Sequence, residues 1–336
     1  MKNKDQHMNT KKKAAIVLCC IIASAFIMAG NHLCWNAADS TRASETRWVK
    51  ARLVNRLGNQ LFIAASSYGI ARARNARWCI ENLKNEEMDL EEKVQWLHQN
   101  TTPEPCPSSS PSVFVDVDEG PGFATYQPRL IQSYPNQNVR VGTYLNSYKY
   151  WWPLYHIPFK LRKREWGIAW AKHHGVKVGI HIRRTDYHAV AAYRKNLPPD
   201  LYYEFAVQYI HRLTNHSLPA SSFWVASDDM RWVHEKRLEK NLFRGMQLST
   251  FTEADDVMSV LSACTHMIAG AGTFSWWSMY MQQPSHPTKK KIQLYYHVEN
   301  YLFSPGDIAL HDVYPPWWTG IEIVGKQEGS IRIHRP

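Results

Sequence analysis

Apolar positions along the 336-residue chain fall into three successive patterns. The first is an unbroken run, Ala14 to Gly30 (AAIVLCCIIASAFIMAG), directly after Lys11-Lys12-Lys13. As a helix these residues span roughly 26 Å, close to the thickness of a thin early-secretory bilayer, and residues 31–35 can extend the run into the interface. Basic residues precede the run, and Asp39 and Glu45 follow it, so the charge bias puts the N-terminus in the cytosol. The expected layout is a cytosolic tail (1–13), a transmembrane signal anchor (14–33) and a short polar stem (34–48). Ala23-Ser24-Ala25 leaves a second reading open, a cleaved signal peptide. Either way the remainder enters the secretory lumen.

The second pattern is mixed. Trp48 to Val54 opens the folded part, and Leu61 to Arg74 has the apolar spacing of a helix. Glu81 to Gln99 is charged and predicted helical, and 101–111 (TTPEPCPSSSP) is a Pro/Ser-rich loop. Short strands are expected at Val113–Val115 and within Val139–Leu145. From Val176 the third pattern is a regular alternation of strands and helices. Strands are expected at 176–182, 223–226, 247–251, 266–269 and, last, 292–296, with helices at 201–213, 254–264 and 274–282. Such alternation predicts a parallel α/β sheet of Rossmann type, with its ligand at the carboxyl ends of the strands. The folded part therefore divides into 49–174 and 175–336.

Composition is that of a globular protein, 44% hydrophobic and 21% charged, and excludes a disordered chain. The formal charge of +11 favours an anionic partner such as a phosphate-bearing substrate, an acidic lipid or a nucleic acid. A lumenal address argues against nucleic acid. Fourteen Trp and seventeen Tyr suit sugar or base stacking, although core packing is the more ordinary use. Two sequons, at Asn100 and Asn215, agree with a lumenal chain as candidate glycosylation sites. Cys34, Cys79, Cys106 and Cys264 permit three full pairings, and the sequence does not choose among them. Cys79 with Cys106, clipping the polar segment between them, is the one we favour. There is no C-x-x-C pair to hold a structural zinc.

Three clusters carry candidate chemistry. His181-Ile182-Arg183-Arg184-Thr185-Asp186 follows a buried strand, where two arginines are costly unless they meet an anion. Guanidinium forks could hold a diphosphate and stabilise its charge as it leaves, while Asp186 could orient an arginine or act on a substrate hydroxyl. Solvated strand-end charges are the plainer reading. Gly270-Ala271-Gly272-Thr273-Phe274-Ser275 also leaves a strand and opens a helix. Its glycines let backbone approach a phosphate, and Thr273 and Ser275 could cap the helix. Lys289-Lys290-Lys291 stands where a nicotinamide site would need an acid. Ser227-Asp228-Asp229 could meet a nucleoside or cap the next helix, and Asp255-Asp256 leans towards capping. Asp116-Val117-Asp118 has the form of a metal-binding D-x-D, but strand-end charges are preferred. His173, His174 and His188 read as solvated or core histidines rather than metal ligands.

HIRRTD after VGIHI resembles the first signature of the α-1,2-fucosyltransferases, with related forms in core α-1,6- and protein O-fucosyltransferases. Arg56-Leu57-Gly58-Asn59-Gln60-Leu61, Phe223 to Asp229 (FWVASDD), Gly272-Thr273-Phe274 and Trp318-Thr319-Gly320-Ile321 resemble further segments in the expected order. The resemblance implies a GT-B-like pair of Rossmann-type domains in a single-pass, type II Golgi membrane protein with a lumenal catalytic part. It implies GDP-β-L-fucose as donor, a terminal β-galactoside as acceptor, inversion to an α-1,2 linkage, and no cofactor or obligatory metal. By residue, His181 with Asp228 or Asp229 would face guanosine. Arg183, Arg184, Thr273, Phe274 and Ser275 would hold the diphosphate end, and a Gly58-Asn59-Gln60 loop would close over it. Arg183 and Asp186 are the catalytic candidates. The core α-1,6 pattern has a glutamate after RR-x-D, whereas here Tyr187-His188-Ala189-Val190-Ala191 supplies no carboxylate. That departure keeps a catalytically inactive carbohydrate- or nucleotide-binding protein in view. A sulfotransferase, the nearest rival enzyme, would carry its phosphate loop near the start of the domain.

Overall fold

The structure is a computed structural model that describes residues 47–81, 90–97, 102–107, 114–117, 126–132, 134, 136–142, 144–151, 157–282, 291–297, 310–324 and 330–334. The expected anchor at 14–33 lies outside these, as do the tail, almost all of the stem, Asn100 and Asp118. Among the described residues no helix is long and apolar enough to cross a membrane. Thr46–Pro336 forms one compact unit.

Two parallel sheets organise that unit. The smaller has β1 (Trp48–Ala51), β2 (Arg77–Ile80), β4 (Phe114–Val117) and β5 (Asn138–Val141) in the order β2-β1-β5-β4, every pair parallel. A short antiparallel pair, β3 (Val94–Trp96) with β6 (Phe159–Leu161), stands apart from it. The larger sheet has β7 (Val178–Ile182), β8 (Phe223–Ser227), β9 (Gln247–Leu248), β10 (His266–Ala269), β11 (Gln293–Tyr296), β12 (Thr319–Val324) and β13 (Ser330–His334). Its order is β13-β12-β11-β10-β7-β8-β9, parallel except for the terminal β12–β13 pair. Numbered within the sheet, the first six strands run 3-2-1-4-5-6. The order reverses between β7 and β10, and that switch point is where a doubly wound sheet opens a crevice for a ligand.

The helices follow from the same logic. In chain order they are α1 (Leu57–Ala73), α2 (Leu90–Lys93), α3 (Arg129–Gln132), α4 (Arg164–His173), α5 (Thr185–Ala189), α6 (Asp200–Leu213), α7 (Met230–Glu239), α8 (Ala254–Ala263), α9 (Thr273–Tyr280) and α10 (Leu310–Val313). Strand β7, VGIHI, is buried at every position, as a central strand covered on both faces must be. Helix α1 is buried from Leu57 to Ala71 with one break at Asn59, and its small residues allow that depth. A Cβ on Gly69 would stand 2.2 Å from the Tyr150 carbonyl oxygen, so only glycine fits there.

Aromatic side chains join the two halves into one core. Trp151 stacks on Trp277 at 5.5 Å and 17°, and Phe62 of α1 meets Trp276 of α9 at 4.6 Å. Trp151, Trp224, Trp277 and Trp318 are fully buried, so packing accounts for much of the tryptophan content.

Several expectations need correction. Gly58-Asn59-Gln60 is not a loop but the first turn of α1, because buried Leu57 draws the apolar face in before Leu61. The charged stretch 81–99 is not one helix: its described part is a four-residue helix followed by β3, whose Trp96 packs edge-on to Trp78 and Phe159. Residues 292–296 are not the last strand, since TGIEIV and SIRIH alternate and pair as β12 and β13. Helix α4 was not predicted; its apolar residues do not keep to one face, since Trp166 and Ile168 are exposed while Gly167 and Ala171 are buried. Asp255 does not cap α8. It is buried and paired with Lys93 at 3.2 Å and Lys163 at 3.1 Å, while Asp256 holds Lys163 at 2.6 Å. The favoured Cys79–Cys106 disulfide is present, and Cys264 is free and buried.

Candidate active site

The switch point is built from the ends of β7 and β10. Their register sets His181 beside Ala269, and the Gly270 amide donates to the His181 carbonyl at 3.0 Å. Gly272 then takes φ +116°, a backbone state open to glycine, and α9 begins. A Cβ at Gly272 would lie 3.2 Å from the Tyr187 hydroxyl and 3.6 Å from Arg183 Cδ. The glycine turn and Arg183 therefore stand side by side at the switch point, where a doubly wound sheet receives its ligand. Thr273 and Ser275 do not cap α9 as expected; the N-cap is Gly272, which has no side chain to offer. Thr273 Oγ1 instead donates to Asn59 Oδ1 at 2.8 Å, and Ser275 Oγ meets His181 Nδ1 at 2.6 Å. The amides at the start of α9 thus have no side-chain cap, the condition under which a helix start receives an anion.

His181 is neutral. Burial, with the neighbouring Arg183 charge adding to it, pushes the imidazole down to about 3. Its ring lies 4.7 Å from that of Phe274, whose backbone nitrogen belongs to the first turn of α9.

Arg183 is gripped by Asp186. Nε donates to Oδ1 at 3.0 Å and Nη2 to Oδ2, a two-pronged pairing, and the guanidinium stands 5.1 Å over the Tyr187 ring. Burial works against the charge on Arg183, but Asp186, Tyr187 and Asp228 together outweigh it and hold the group cationic. Asp186 is driven the other way: its hydrogen bonds to Arg183 overcome burial, Arg56 adds to the effect, and the carboxyl stays below its ordinary range. A carboxylate so committed orients an arginine well and accepts a proton poorly.

The other acids and Arg184 are also engaged. Asp228 accepts from the Arg184 amide at 2.7 Å, from the Thr185 amide at 3.3 Å and from Thr185 Oγ1 at 2.7 Å, which fixes the turn from β7 into α5. Asp229 accepts from the Trp232 amide at 3.0 Å and caps α7. The Arg184 guanidinium lies 4.2 Å over the Trp232 ring with Nε 3.6 Å from Asp229, so the two arginines have different surroundings. Asp116 pairs with Arg140 at 3.3 Å on the smaller sheet, the strand-end charge expected. His173, His174 and His188 are exposed, as is Asn215.

From the smaller sheet, β1 runs out at its own switch point beside β5, and α1 begins there. Helices α1 and α9 meet start to start. A Cβ on Gly58 would fall 2.6 Å from the Phe274 nitrogen and 2.7 Å from the Thr273 carbonyl carbon. Gln60 is buried and donates to the Asn55 carbonyl at 2.7 Å, so it braces the entry to α1. Gly58 and Asn59 join Arg183, Thr273, Phe274, Ser275 and His181 at one place, whereas Asp228 and Asp229 support it from behind. Sequence reasoning did not single out Tyr187, Tyr203 or the part played by Arg56. Tyr187 lies on the five-residue α5, and Arg183 precedes its N-cap Arg184, so helical spacing in the sequence did not pair the two. Tyr203, whose buried hydroxyl lacks a partner among the described residues, gave no signal.

Residues 157–320 match glycosyl transferase family 11. No curated protein matches in sequence. Solved structures of similar layout include the fucosyltransferase NodZ from Bradyrhizobium, at 12% identity over 87% of this chain and 99% of that one, TM-score 0.48. POFUT1 in complex with GDP is similar at 11% identity over 75% of this chain and 99% of that one, TM-score 0.49. An Arabidopsis thaliana FUT1 mutant in complex with GDP is similar at 13% identity over 81% and 75%, TM-score 0.43. The match across 157–320 takes in the β7 arginines, the Asp228-Asp229 turn and the glycine turn before α9, and the family it matches, glycosyl transferase family 11, is that of the α-1,2-fucosyltransferases.

Proposed function

We propose that the chain transfers L-fucose from GDP-β-L-fucose to the 2-hydroxyl of a terminal β-galactoside, with inversion at the sugar carbon. The observation that carries this reading is the pairing of Arg183 with the uncapped start of α9 at the switch point. Both supply positive potential to a departing diphosphate, the first by fixed charge and the second by backbone amides. The bond from sugar C1 to the β-phosphate oxygen breaks, its electrons leave with GDP, and the acceptor oxygen bonds to C1 from the opposite face. The acceptor proton is lost late, to solvent water, after the C1–oxygen bond has begun to form. Asp186 is held by Arg183, so we assign it to positioning the guanidinium and place most of the catalytic effect on leaving-group stabilisation. His181, neutral and packed beside Phe274, suits the nucleoside side, with Asp228 and Asp229 holding the turn below it. The wider setting we propose is a lumenal Golgi enzyme anchored by 14–33; the Cys79–Cys106 disulfide and the exposed Asn215 sequon are compatible with that compartment.

The test is a transfer assay with radiolabelled GDP-fucose against a panel of glycans. We expect incorporation into terminal β-galactosides, lost when the 2-hydroxyl is removed. Incorporation into 2-deoxygalactosides, or into N-acetylglucosamine cores alone, would refute the acceptor assignment. GDP binding with neither hydrolysis nor transfer would favour the inactive binding protein.

A further inference from the structure

The open edge of the larger sheet holds a cluster that the donor site does not use. His297 leaves the carboxyl end of β11, and its amide donates to the Ile321 carbonyl at 2.9 Å, which places it alongside Glu322 of β12. On β13, His334 reaches Glu322 diagonally, with Nε2 2.7 Å from Oε2. One ligand atom from each of His297, Glu322 and His334 lies within 4.8 Å of the others. His297 is only 8% exposed, and its Nδ1 has no hydrogen-bond partner among the described residues. An imidazole nitrogen buried without a partner is costly unless something meets it.

We propose that His297, Glu322 and His334 form a zinc site that clips the terminal strand β13 to the sheet. Two imidazoles and one carboxylate are a borderline donor set that suits Zn²⁺ better than Mg²⁺ or Ca²⁺, with water completing a tetrahedron. The His297 and His334 rings now lie parallel, 3.8 Å apart, and His334 turns on its half-exposed strand to point its nitrogen at the ion. Among the described residues Arg332, 3.2 Å from Glu322 Oε2, is the cation the ion displaces; its side chain is 63% exposed and has solvent to move into. The clip is structural and stands apart from the expected metal independence of transfer.

The experiment uses the full chain stripped with chelator and titrated with zinc chloride against a chromophoric competitor, with Co²⁺ absorption reporting geometry. One tight equivalent and a tetrahedral Co²⁺ spectrum are expected. His297→Ala and His334→Ala should each weaken binding by about 100-fold or more, and Glu322→Gln by at least about 10-fold while melting cooperatively. Zinc should raise the melting temperature of the wild type and leave that of His297→Ala unmoved. The His211→Ala, His216→Ala double variant serves as control and should bind like wild type. Uptake that is weak, spread over several equivalents and indifferent to His297 would overturn the proposal.

Discussion

Arg183 and His181 stand two residues apart on one strand end, and burial treats them in opposite ways. Arg183 keeps its charge because Asp186 pairs with both prongs of its fork, whereas His181 gives up its proton because no anion answers it. Replacing Arg183 by Ala should cut transfer by about 10²–10³-fold while the fold survives, as measured by kcat and thermal melting. Lysine at 183 should rescue little, since it carries the charge without the fork. His181 also makes a claim about pH. Its folded value of about 3 lies below the ordinary 6.5, so between those limits the unfolded chain binds the extra proton. Stability contributed by neutral His181 is therefore full above about pH 6.5 and is lost as pH falls towards 3, by roughly 1.4 kcal/mol per unit. In acid denaturation, His181→Gln should show a shallower slope than wild type over that window; equal slopes would mean His181 titrates normally.

Where the two helix starts meet, the constraint belongs to elements rather than residues. Gly58 sits in the first turn of α1, and any Cβ there collides with the backbone at the start of α9. Gly58→Ala should destabilise by about 1–3 kcal/mol and also raise KM for the donor, because the crevice wall itself moves. Gly69→Ala, in the same helix but against Tyr150, should cost at least as much stability and leave the donor KM alone. Measuring melting and KM on both variants separates the two kinds of damage. Much of this level was legible beforehand. Strands β7, β8, β10 and β11 and helices α6, α8 and α9 declared themselves because each carries a run or stripe of buried apolar positions, whereas α5 and α7, which bury only one and two residues, did not. The glycine turn and the arginines could be placed at strand ends for the same reason. What could not be read was contact over distance: that Thr273 would turn to Asn59 rather than cap its helix, or that Asp255 would gather Lys93 and Lys163. Those pairings link residues far apart in sequence, and local capping chemistry is silent about them.

At the scale of the molecule, the aromatic seam of Phe62, Trp151, Trp276 and Trp277 makes one core of what the alternation of strands and helices divides in two. The Cys79–Cys106 link closes a 27-residue separation at the outer side of the smaller sheet. Losing it through Cys106→Ser should lower stability by about 2–4 kcal/mol, seen in denaturant unfolding with and without reductant. Transfer itself should persist in EDTA at temperatures well below melting; abolition restored by manganese would point instead to a metal-held donor. The central claim is that one crevice, walled by Arg183 and the start of α9, receives the diphosphate. A crystal structure with GDP tests it most directly. We expect phosphate oxygens within hydrogen-bonding distance of the Arg183 guanidinium and of backbone amides at Thr273–Ser275. A diphosphate bound elsewhere, with Arg183 still closed on Asp186 alone, would contradict the account.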